Sequence, residues 1–358
     1  MKIVICGAGV IGAAIAYALS QRGLQATIIE ASAPACAASG KSGGFLALDW
    51  CDGSAMSQLA RRSFDLHTTL GQQFGEQTGY RRVDTLSIIA TEAPHDLSAY
   101  AKIAAPPWLN GRCAVNSQLG NADTTAQVHP ELFTTTLLNQ ALAKGCELIH
   151  GRVNGIVRDA NKVRGVMLDD ATFDADVVVI ALGPWSALAC DWLPVPKVMG
   201  QKGASIVLQA QTPIAAHAVF GQYINAAGVE FGPEIFPRPD GQVYMCGVAE
   251  HAPLPIDGAS VEPSDDAIAT LLAIAKTVSR ELAEATLLRA QACYRPIVAD
   301  ALPLMGAVPD VAGAYIASAH NCWGILNAPA SGEAMAELIV TGATTHVDLR
   351  PFSVARPL

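Results

Sequence analysis

The first twelve residues, "MKIVICGAGVIG" (1–12), place three glycines in the pattern G-x-G-x-x-G directly behind a short apolar run. Residues 3–5 are all β-branched and predict a strand that is buried on both faces. The apolar side chains of Ile11, Ile15 and Leu19 recur at helical spacing, and residues 24–30 (LQATIIE) form a second β-branched run. The stretch therefore predicts a β-α-β unit.

The three glycines have separate mechanical roles in such a unit. Gly7 allows the tight turn, Gly9 lets the backbone approach a pyrophosphate, and Gly12 lets the helix pack closely on the strand. Val10 and Ile11 fall at the helix N-terminus, where backbone N–H groups and the helix dipole attract phosphate. Together these residues predict a phosphate-binding turn.

A carboxylate ends the second predicted strand. Glu30 lies eighteen residues after Gly12, followed by Ala31, and there it can accept hydrogen bonds from both ribose hydroxyls of a dinucleotide. The alternative is a glycine-rich turn that binds nothing, but the complete order of strand, helix, strand and acid favours a dinucleotide site. The fingerprint serves FAD and NAD alike, so it leaves the choice open.

The N-terminus also imitates a secretory signal, because Lys2 precedes a mostly apolar run that reaches Leu19. The glycines interrupt the centre of this run, and Gln21 and Arg22 stand where a small-residue cleavage site belongs. We therefore interpret the segment as part of the fold. No other segment reaches the ~18 apolar residues of a spanning helix, so the sequence predicts no membrane span.

Composition narrows the classes of protein further. The chain has 358 residues, 51% of them apolar, which is enough for two domains or one large composite. Its net charge of -9 argues against nucleic acid or an anionic membrane surface as the main partner and favours a small molecule. Nine cysteines without a C-x-x-C pair predict free thiols and a cytoplasmic location. Scattered histidines predict no metal site, and the absence of G-x-S-x-G argues against a serine hydrolase.

The small-residue stretch "ASGKSGG" (38–44) is too rich in glycine for a regular element and predicts a loop that lies against a ligand. Here the sequence resembles the D-amino-acid oxidase family of flavoproteins, which includes glycine oxidase and monomeric sarcosine oxidase. In that family a similar loop lies against the flavin. The resemblance implies FAD as the cofactor, and it implies flavin contacts from Ser39, Lys41, Ser42, Gly43 and Gly44.

The resemblance continues through three later stretches. "QVHPELFTTTLLNQALAKGCELIHGRVNGI" (127–156) looks like the family's return to the FAD domain, with Val153 at the position that meets the adenine. "DADVVVIALGPWSALA" (174–189) looks like its next buried strand and turn, which implies contacts from Gly183 and Trp185. "HNCWGIL" (320–326) looks like the turn that leads into a helix facing the flavin. That last match implies contacts from Asn321, Cys322, Trp323, Gly324 and Ile325.

The family resemblance also implies an activity. There is one G-x-G-x-x-G and no visible second NAD domain, which favours an oxidase or dehydrogenase fed by an organic substrate. The implied reaction is oxidation of a C–H bond beside an amine or hydroxyl, with hydride transfer to flavin N5. We expect a small amine or amino acid as the substrate and oxygen as the acceptor, which is reduced to hydrogen peroxide. Two alternatives are a 2-hydroxy-acid dehydrogenase that passes electrons to a quinone or carrier, and a catalytically idle flavin-binding regulator.

Individual residues follow from the same resemblance. Arg295 matches the arginine that pairs with the substrate carboxylate in glycine oxidase and D-amino-acid oxidase; read alone, it could instead pair with Asp300. Cys293 matches a cysteine that bonds to the flavin in monomeric sarcosine oxidase, although ordinary packing is favoured.

Sarcosine oxidases carry an oxygen-activating lysine where this chain has Met245, and Lys41 or Lys202 could substitute. Tyr223, Tyr244 and His251 could line the substrate cavity, but packing or surface positions are favoured for them.

The predicted fold is an α/β (α+β composite) architecture, with a Rossmann-like FAD-binding domain and an interleaved substrate domain on a mostly antiparallel sheet. We assign residues 1–80, 145–190 and 295–358 to the FAD domain, and 81–144 and 191–294 to the substrate domain. Leu59, Leu66, Leu70 and Phe74 predict one amphipathic helix. Ser264 is predicted to cap another that carries Ile268, Leu272, Ala275 and Leu282, while residues 203–210 and 241–250 predict strands. The oligomeric state is not predicted.

Overall fold

A computed structural model describes residues 1–169 and 171–357. The α-helices in this part of the chain are α1 (Val10–Gln21), α2 (Ala38–Lys41), α3 (Ser57–Phe74), α4 (Pro130–Ala143), α5 (Asp265–Val278), α6 (Arg280–Ala283) and α7 (Gly324–Thr341). The strands are β1 (Ile3–Cys6), β2 (Ala26–Glu30), β3 (Phe45–Ala47), β4 (Arg81–Arg82), β5 (Asp84–Thr91), β6 (Cys113–Gly120), β7 (Thr125–Gln127), β8 (Glu147–His150), β9 (Val153–Asp159), β10 (Lys162–Leu168), β11 (Ala171–Asp174), β12 (Val177–Ile180), β13 (Met199–Gln209), β14 (His217–Ile224), β15 (Glu230–Phe231), β16 (Glu234–Pro237), β17 (Gln242–Glu250), β18 (Thr286–Ile297), β19 (Leu304–Ala307) and β20 (Ala314–Ser318).

The predicted β-α-β unit lies at the centre of a six-stranded sheet of order β19-β20-β12-β1-β2-β8. β1 pairs in parallel with β2 and β12, and only the edge strand β19 is antiparallel. Every residue of β1 is buried, as expected for a parallel strand covered on both faces. Helices α1, α4 and α7 share one hydrophobic core on one side of this sheet.

A second, larger sheet has the order β18-β13-β17-β16-β14-β5-β6, with β15 paired to β14. All of its neighbours are antiparallel except β5 and β14. Successive side chains of a strand point to opposite faces of the sheet. The apolar side chains of β13, β16 and β17 lie on one face, where they pack against α5. The fold class predicted from the sequence is confirmed, including the mostly antiparallel second sheet.

Two smaller antiparallel sheets complete the architecture, β11-β10-β9 and β3-β7-β4. The division into an FAD and a substrate domain stays a prediction. Helix α4 lies inside the segment assigned to the substrate domain, yet it packs against α1 in the core of the six-stranded sheet. Strand β18 crosses the proposed boundary at residue 295 without interruption.

Local details both confirm and correct the sequence predictions. Helix α3 begins and ends around the predicted apolar stripe, and the Ser264 hydroxyl accepts a hydrogen bond from Ala267 N at 3.2 Å as the cap of α5. The prediction that Leu282 belongs to that helix is wrong, because α5 ends at Val278 and the extended Ser279 caps a separate short helix, α6. In the described residues no helix is long and apolar enough to cross a membrane.

Candidate functional site

A deep cleft lies between the carboxyl edge of the six-stranded sheet and one face of the large sheet. It encloses about 2110 Å³ of space, part of which is open to solvent. The segments that follow β1, β2, β12 and β20 all line it, as expected for a parallel sheet, whose ligands bind at the carboxyl ends of the strands. We call the part near α1 the dinucleotide end and the part near Arg295 the substrate end.

The three glycines of the G-x-G-x-x-G pattern differ in what surrounds them. A Cβ on Gly7, whose φ is +105°, would lie 2.5 Å from the Ala181 carbonyl oxygen, and a Cβ on Gly12 would lie 2.0 Å from the Gly7 carbonyl oxygen. These two glycines are therefore required by the fold. Gly9 lines the cleft, and a Cβ there would meet only Ser39 Oγ, at 3.1 Å. The space beside Gly9 is thus free for a ligand to approach the backbone.

The carboxylate of Glu30 closes the dinucleotide end. It accepts hydrogen bonds from Ala8 N at 2.8 Å and from Ser32 N at 2.9 Å, and the residue lines the cleft. A carboxylate has about four lone-pair sites, so acceptor capacity remains for ligand hydroxyls. Ser39 Oγ accepts from Val10 N at 2.8 Å, which joins the first turn of α1 to the following loop.

The prediction that residues 38–44 form no regular element is wrong in part. Ala38–Lys41 make one helical turn, α2, because Gly40 N and Lys41 N both donate to the Ala37 carbonyl. Ser39, Ser42 and Gly43 line the cleft. Gly44, with φ +80°, instead lies against the Val128 carbonyl, and Lys41 Nζ donates to the Val261 carbonyl at 3.4 Å.

Further along the cleft the structure brings together three more of the predicted residues. Val153, Gly183 and Trp185 all line it. The Trp185 indole donates to the Pro255 carbonyl at 2.7 Å, and the ring packs under Gly258, where a Cβ would come within 2.8 Å of it. Trp185 is therefore held in place as a wall of the cleft.

The turn before α7 approaches the same cleft. Asn321 adopts a left-handed conformation with φ +52°, and Cys322, Gly324 and Ile325 line the cleft with it. Trp323 points elsewhere and packs edge-on against Trp50, with ring centroids 6.3 Å apart. The N-terminal end of an eighteen-residue helix, which carries a partial positive charge, thus faces the cleft.

Helix α7 contains a proline, and α3 supplies the lost hydrogen bond. Pro329 has no N–H to donate to the Ile325 carbonyl. His67 Nε2 lies 2.9 Å from that carbonyl oxygen and 3.1 Å from that of Leu326, so it must carry the proton and donate. Ser63 Oγ accepts from Ala330 N at 3.0 Å. Burial lowers the pKa of His67 to about 4.

Arg295 projects into the substrate end from β18. The alternative pairing with Asp300 does not form, because Asp300 binds Arg356 through contacts of 2.7 and 3.0 Å. Within the described residues no carboxylate lies within ion-pairing distance of Arg295. A half-buried guanidinium without a partner is suited to bind an anionic group of a ligand.

The sequence interpretation missed several residues of the substrate end. Tyr244 and Cys246 line the cleft, whereas Val243 and Met245 are buried against the α5 side of the sheet. Alternation along "VYMC" could have assigned these faces. Glu234, on the neighbouring strand β16, also lines the cleft, and nothing local in its sequence marks it.

Lys41 and Lys202 were the two lysines predicted as candidates for oxygen activation, which Met245 cannot provide. Lys202 lines the cleft, and its Nζ lies 3.4 Å from a Glu250 carboxylate oxygen. Lys41 does not line the cleft. Of all the predicted site residues, four lie outside the cleft lining, namely Gly12, Lys41, Gly44 and Trp323. The described residues contain no cluster of three or more His, Cys, Asp or Glu that could hold a metal ion.

Comparison with known proteins agrees with this geometry. The sequence model of the DAO family, described as "FAD dependent oxidoreductase", matches residues 2–338. A Schizosaccharomyces pombe protein named only as an oxidoreductase is 29% identical and covers 97% of this chain and 96% of its own length. Glycine oxidase of Pseudomonas aeruginosa is 27% identical over 99% of this chain and 98% of its own. The crystal structure of glycine oxidase from Geobacillus kaustophilus superposes with a TM-score of 0.80, at 24% identity, over 100% of this chain and 99% of that one.

Proposed function

We propose that this chain, which belongs to the DAO family of FAD-dependent oxidoreductases, oxidises a small amino acid or amine that carries a carboxylate, with oxygen as the acceptor and hydrogen peroxide as the product. Its cofactor is FAD. The observation that carries the substrate proposal is Arg295, a guanidinium in the cleft that has no carboxylate partner among the described residues. The curated relatives named glycine oxidase support an amino acid as the substrate.

The dinucleotide end fits the cofactor. The open side of Gly9 and the first-turn amide of Ile11 would hold the pyrophosphate, beside Val10, whose own amide donates to Ser39 Oγ. Glu30 would accept the ribose hydroxyls. Val153 would lie beside the adenine. The N-terminal turn of α7, with Asn321 and the residues that follow it, would stabilise the negative charge that reduction places on the flavin. Bound FAD supplies an acceptor for a hydride at its N5 atom.

The chain's own contribution is mainly orientation and electrostatics. Arg295 offers two parallel N–H donors that match a carboxylate. Tyr244 and Cys246 form the floor of the substrate end. Lys202 is the cleft lysine available to promote the reaction with oxygen, and its ion pair with Glu250 fixes its position.

A substrate panel on the purified yellow protein tests the proposal. Amino acids such as glycine, sarcosine and both enantiomers of alanine and proline are mixed with the holoenzyme without oxygen, beside glycolate and lactate as matched hydroxy acids. We expect an amino acid to bleach the flavin, and we expect air to restore the colour with one hydrogen peroxide formed per flavin.

Three other results would contradict the proposal in different ways. Bleaching by hydroxy acids alone would indicate a 2-hydroxy-acid dehydrogenase. Bleaching by an amino acid followed by slow recovery in air, without peroxide, would exclude oxygen as the acceptor. Absence of bleaching by every compound would favour a flavin-binding protein without this activity.

A further inference from the structure

The substrate end contains a carboxylate to which the proposed function assigns no role. Glu234 is the first residue of β16, paired in register with Cys246 of β17 and with Phe220 of β14. The next residue, Ile235, is fully buried on the α5 side of the sheet. Because side chains alternate between the two faces of a strand, Glu234 points to the opposite face, and it lines the cleft.

Glu234 has few hydrogen bonds. Its Oε2 accepts one from Cys246 Sγ at 3.5 Å, and a thiol is a weak donor. No lysine, arginine or histidine of the described chain lies within ion-pairing distance of the carboxylate. A carboxylate that is largely removed from water without a cationic partner is costly, so its place in the cleft calls for a ligand that supplies donors.

Four groups on three other elements face Glu234. Arg295 lies on β18, Tyr244 and Cys246 lie on β17, and Cys322 lies in the turn before α7. Burial raises the pKa of the Glu234 carboxyl, while the Arg295 charge and the Cys246 hydrogen bond act against the rise. Arg295 is therefore close enough to interact with Glu234 through space, but the two form no ion pair.

The opposite signs of these two charges indicate what kind of ligand the substrate end would bind. A positive Arg295 and an ionised Glu234 together have no net charge and would match a zwitterion, with its carboxylate at Arg295 and its ammonium at Glu234. A 2-hydroxy acid carries a carboxylate but no cation, so it would leave Glu234 without a partner. Charge complementarity of this kind discriminates between ligands even when it adds little affinity.

We propose that Glu234 binds the ammonium group of the substrate opposite Arg295 and accepts its proton, so that the cleft selects zwitterionic amino acids over hydroxy acids. This inference rests on the proposed amino-acid oxidation and assigns it a residue. The proton passes from the ammonium nitrogen to a Glu234 oxygen, which leaves a neutral amine and a carboxylic acid. The C–H bond beside a neutral amine, with its free lone pair, is the one that can lose a hydride.

The test compares the holoenzyme with Glu234→Gln, which keeps the shape of the side chain and removes its charge. Glu230→Gln is the matched control, because Glu230 is exposed on β15 and its carboxylate accepts a hydrogen bond from the Gln222 side chain at 3.0 Å. Two quantities are measured: the rate of anaerobic bleaching by the fastest amino acid of the panel, and the Kd of propionate, a carboxylate without an amine, from the change it causes in flavin absorbance.

We expect Glu234→Gln to lower kcat/KM for the amino acid by about 100-fold and to tighten propionate binding about tenfold, because a like charge is removed. Effects of opposite sign on two ligands cannot arise from simple damage to the fold. In the wild type, kcat/KM should also fall as the pH is lowered through the pKa of Glu234, and the variant should lose this dependence.

The two proposals fail in distinguishable ways. If the wild type bleaches with amino acids but Glu234→Gln weakens both ligands equally, or changes neither, the role of Glu234 is wrong and the oxidation stands. If the wild type bleaches with no amino acid, the proposed function is wrong. In that case an unchanged propionate Kd in Glu234→Gln would also contradict the proposal that Glu234 acts electrostatically opposite Arg295.

Discussion

The two ends of the cleft present different chemical groups, mainly backbone groups at the dinucleotide end and side chains at the substrate end. The dinucleotide end uses backbone amides and one carboxylate from a short contiguous segment, residues 7–39, in which Gly9 presents no side chain at all. The substrate end uses the side chains of residues 201–295, which reach the cleft from β13, β16, β17 and β18. The first end should therefore be sensitive to added atoms, and the second to changes in the charge or hydrogen-bonding groups of its side chains.

The largest effect is expected from adding atoms at the dinucleotide end. Gly9→Val should yield folded but colourless protein, because φ at Gly9 is −72°, which any residue adopts, and a Cβ there meets only the end of one flexible side chain. The new methyl groups would occupy the space through which a pyrophosphate approaches. The ratio of flavin to protein absorbance after purification, together with the circular dichroism spectrum, measures both properties.

Gly12→Val is the contrasting variant, since its Cβ would lie 2.0 Å from the Gly7 carbonyl and should disrupt the packing of α1 itself. A Gly9→Val protein with full flavin content would show that the backbone of this turn does not hold the cofactor.

At the substrate end, the next largest effect should follow from changing a donor. Arg295→Lys keeps the charge but loses the planar pair of N–H groups, so KM for a carboxylate substrate should rise about 10- to 100-fold. Arg289→Lys is the control on the same strand, where the exposed guanidinium lies 3.7 Å from Glu131. Steady-state kinetics would contradict the assignment if the KM values of both variants matched that of the wild type.

The difference between the two ends of the cleft also explains which site residues could be predicted from the sequence. Gly7, Gly9 and Glu30 form a contiguous pattern whose spacing is fixed by one strand, one helix and one more strand, so their placement follows from local rules. Glu234 has no such pattern. The β16–β17 hairpin sets Glu234 opposite Cys246, but Glu234 reaches the cleft only because this face of the large sheet lies opposite the six-stranded sheet. The packing of one sheet against another is not encoded in any short stretch.

The errors have equally local causes. The segment 38–44 has glycine-rich composition, yet two amides donating to the Ala37 carbonyl are enough to make a helical turn. Leu282 continues the apolar spacing of α5, but Ser279 adopts an extended conformation and starts a new helix. Apolar periodicity does not register a single residue that leaves helical geometry.

An intermediate effect should come from the contact between α3 and α7, where His67 binds the carbonyls of the first turn of α7. His67 is neutral in the folded protein because burial lowers its pKa to about 4, against 6.5 for the ordinary group. Its stabilising contribution is therefore complete above pH 6.5 and is lost as the pH falls toward 4, since the unfolded chain binds the proton first. Between pH 7 and pH 5 we expect this to cost about 2 kcal/mol of unfolding free energy.

Urea denaturation of the wild type and of His67→Gln at the two pH values measures this term. The glutamine keeps an N–H donor for the Ile325 carbonyl but does not titrate. In this variant the unfolding free energy should therefore fall less between pH 7 and pH 5, by the amount that His67 contributes. Burial also lowers the pKa values of His129 and His320, to about 4 and about 3, so part of the sensitivity should remain. Equal slopes in both proteins would contradict the neutral, donating His67.

The smallest effect is expected at Cys293, which lines the cleft two residues before Arg295. A covalent bond to the flavin needs a thiolate, but burial raises the pKa of this thiol in spite of the nearby Arg295 and Lys41 charges. Cys293 should therefore remain a small apolar wall of the cleft. Acid denaturation followed by filtration should release all the FAD, and Cys293→Ala should purify with the same flavin content as the wild type. Yellow colour retained on the denatured wild-type chain and absent from the variant would establish the bond and contradict the interpretation of Cys293 as a packing residue.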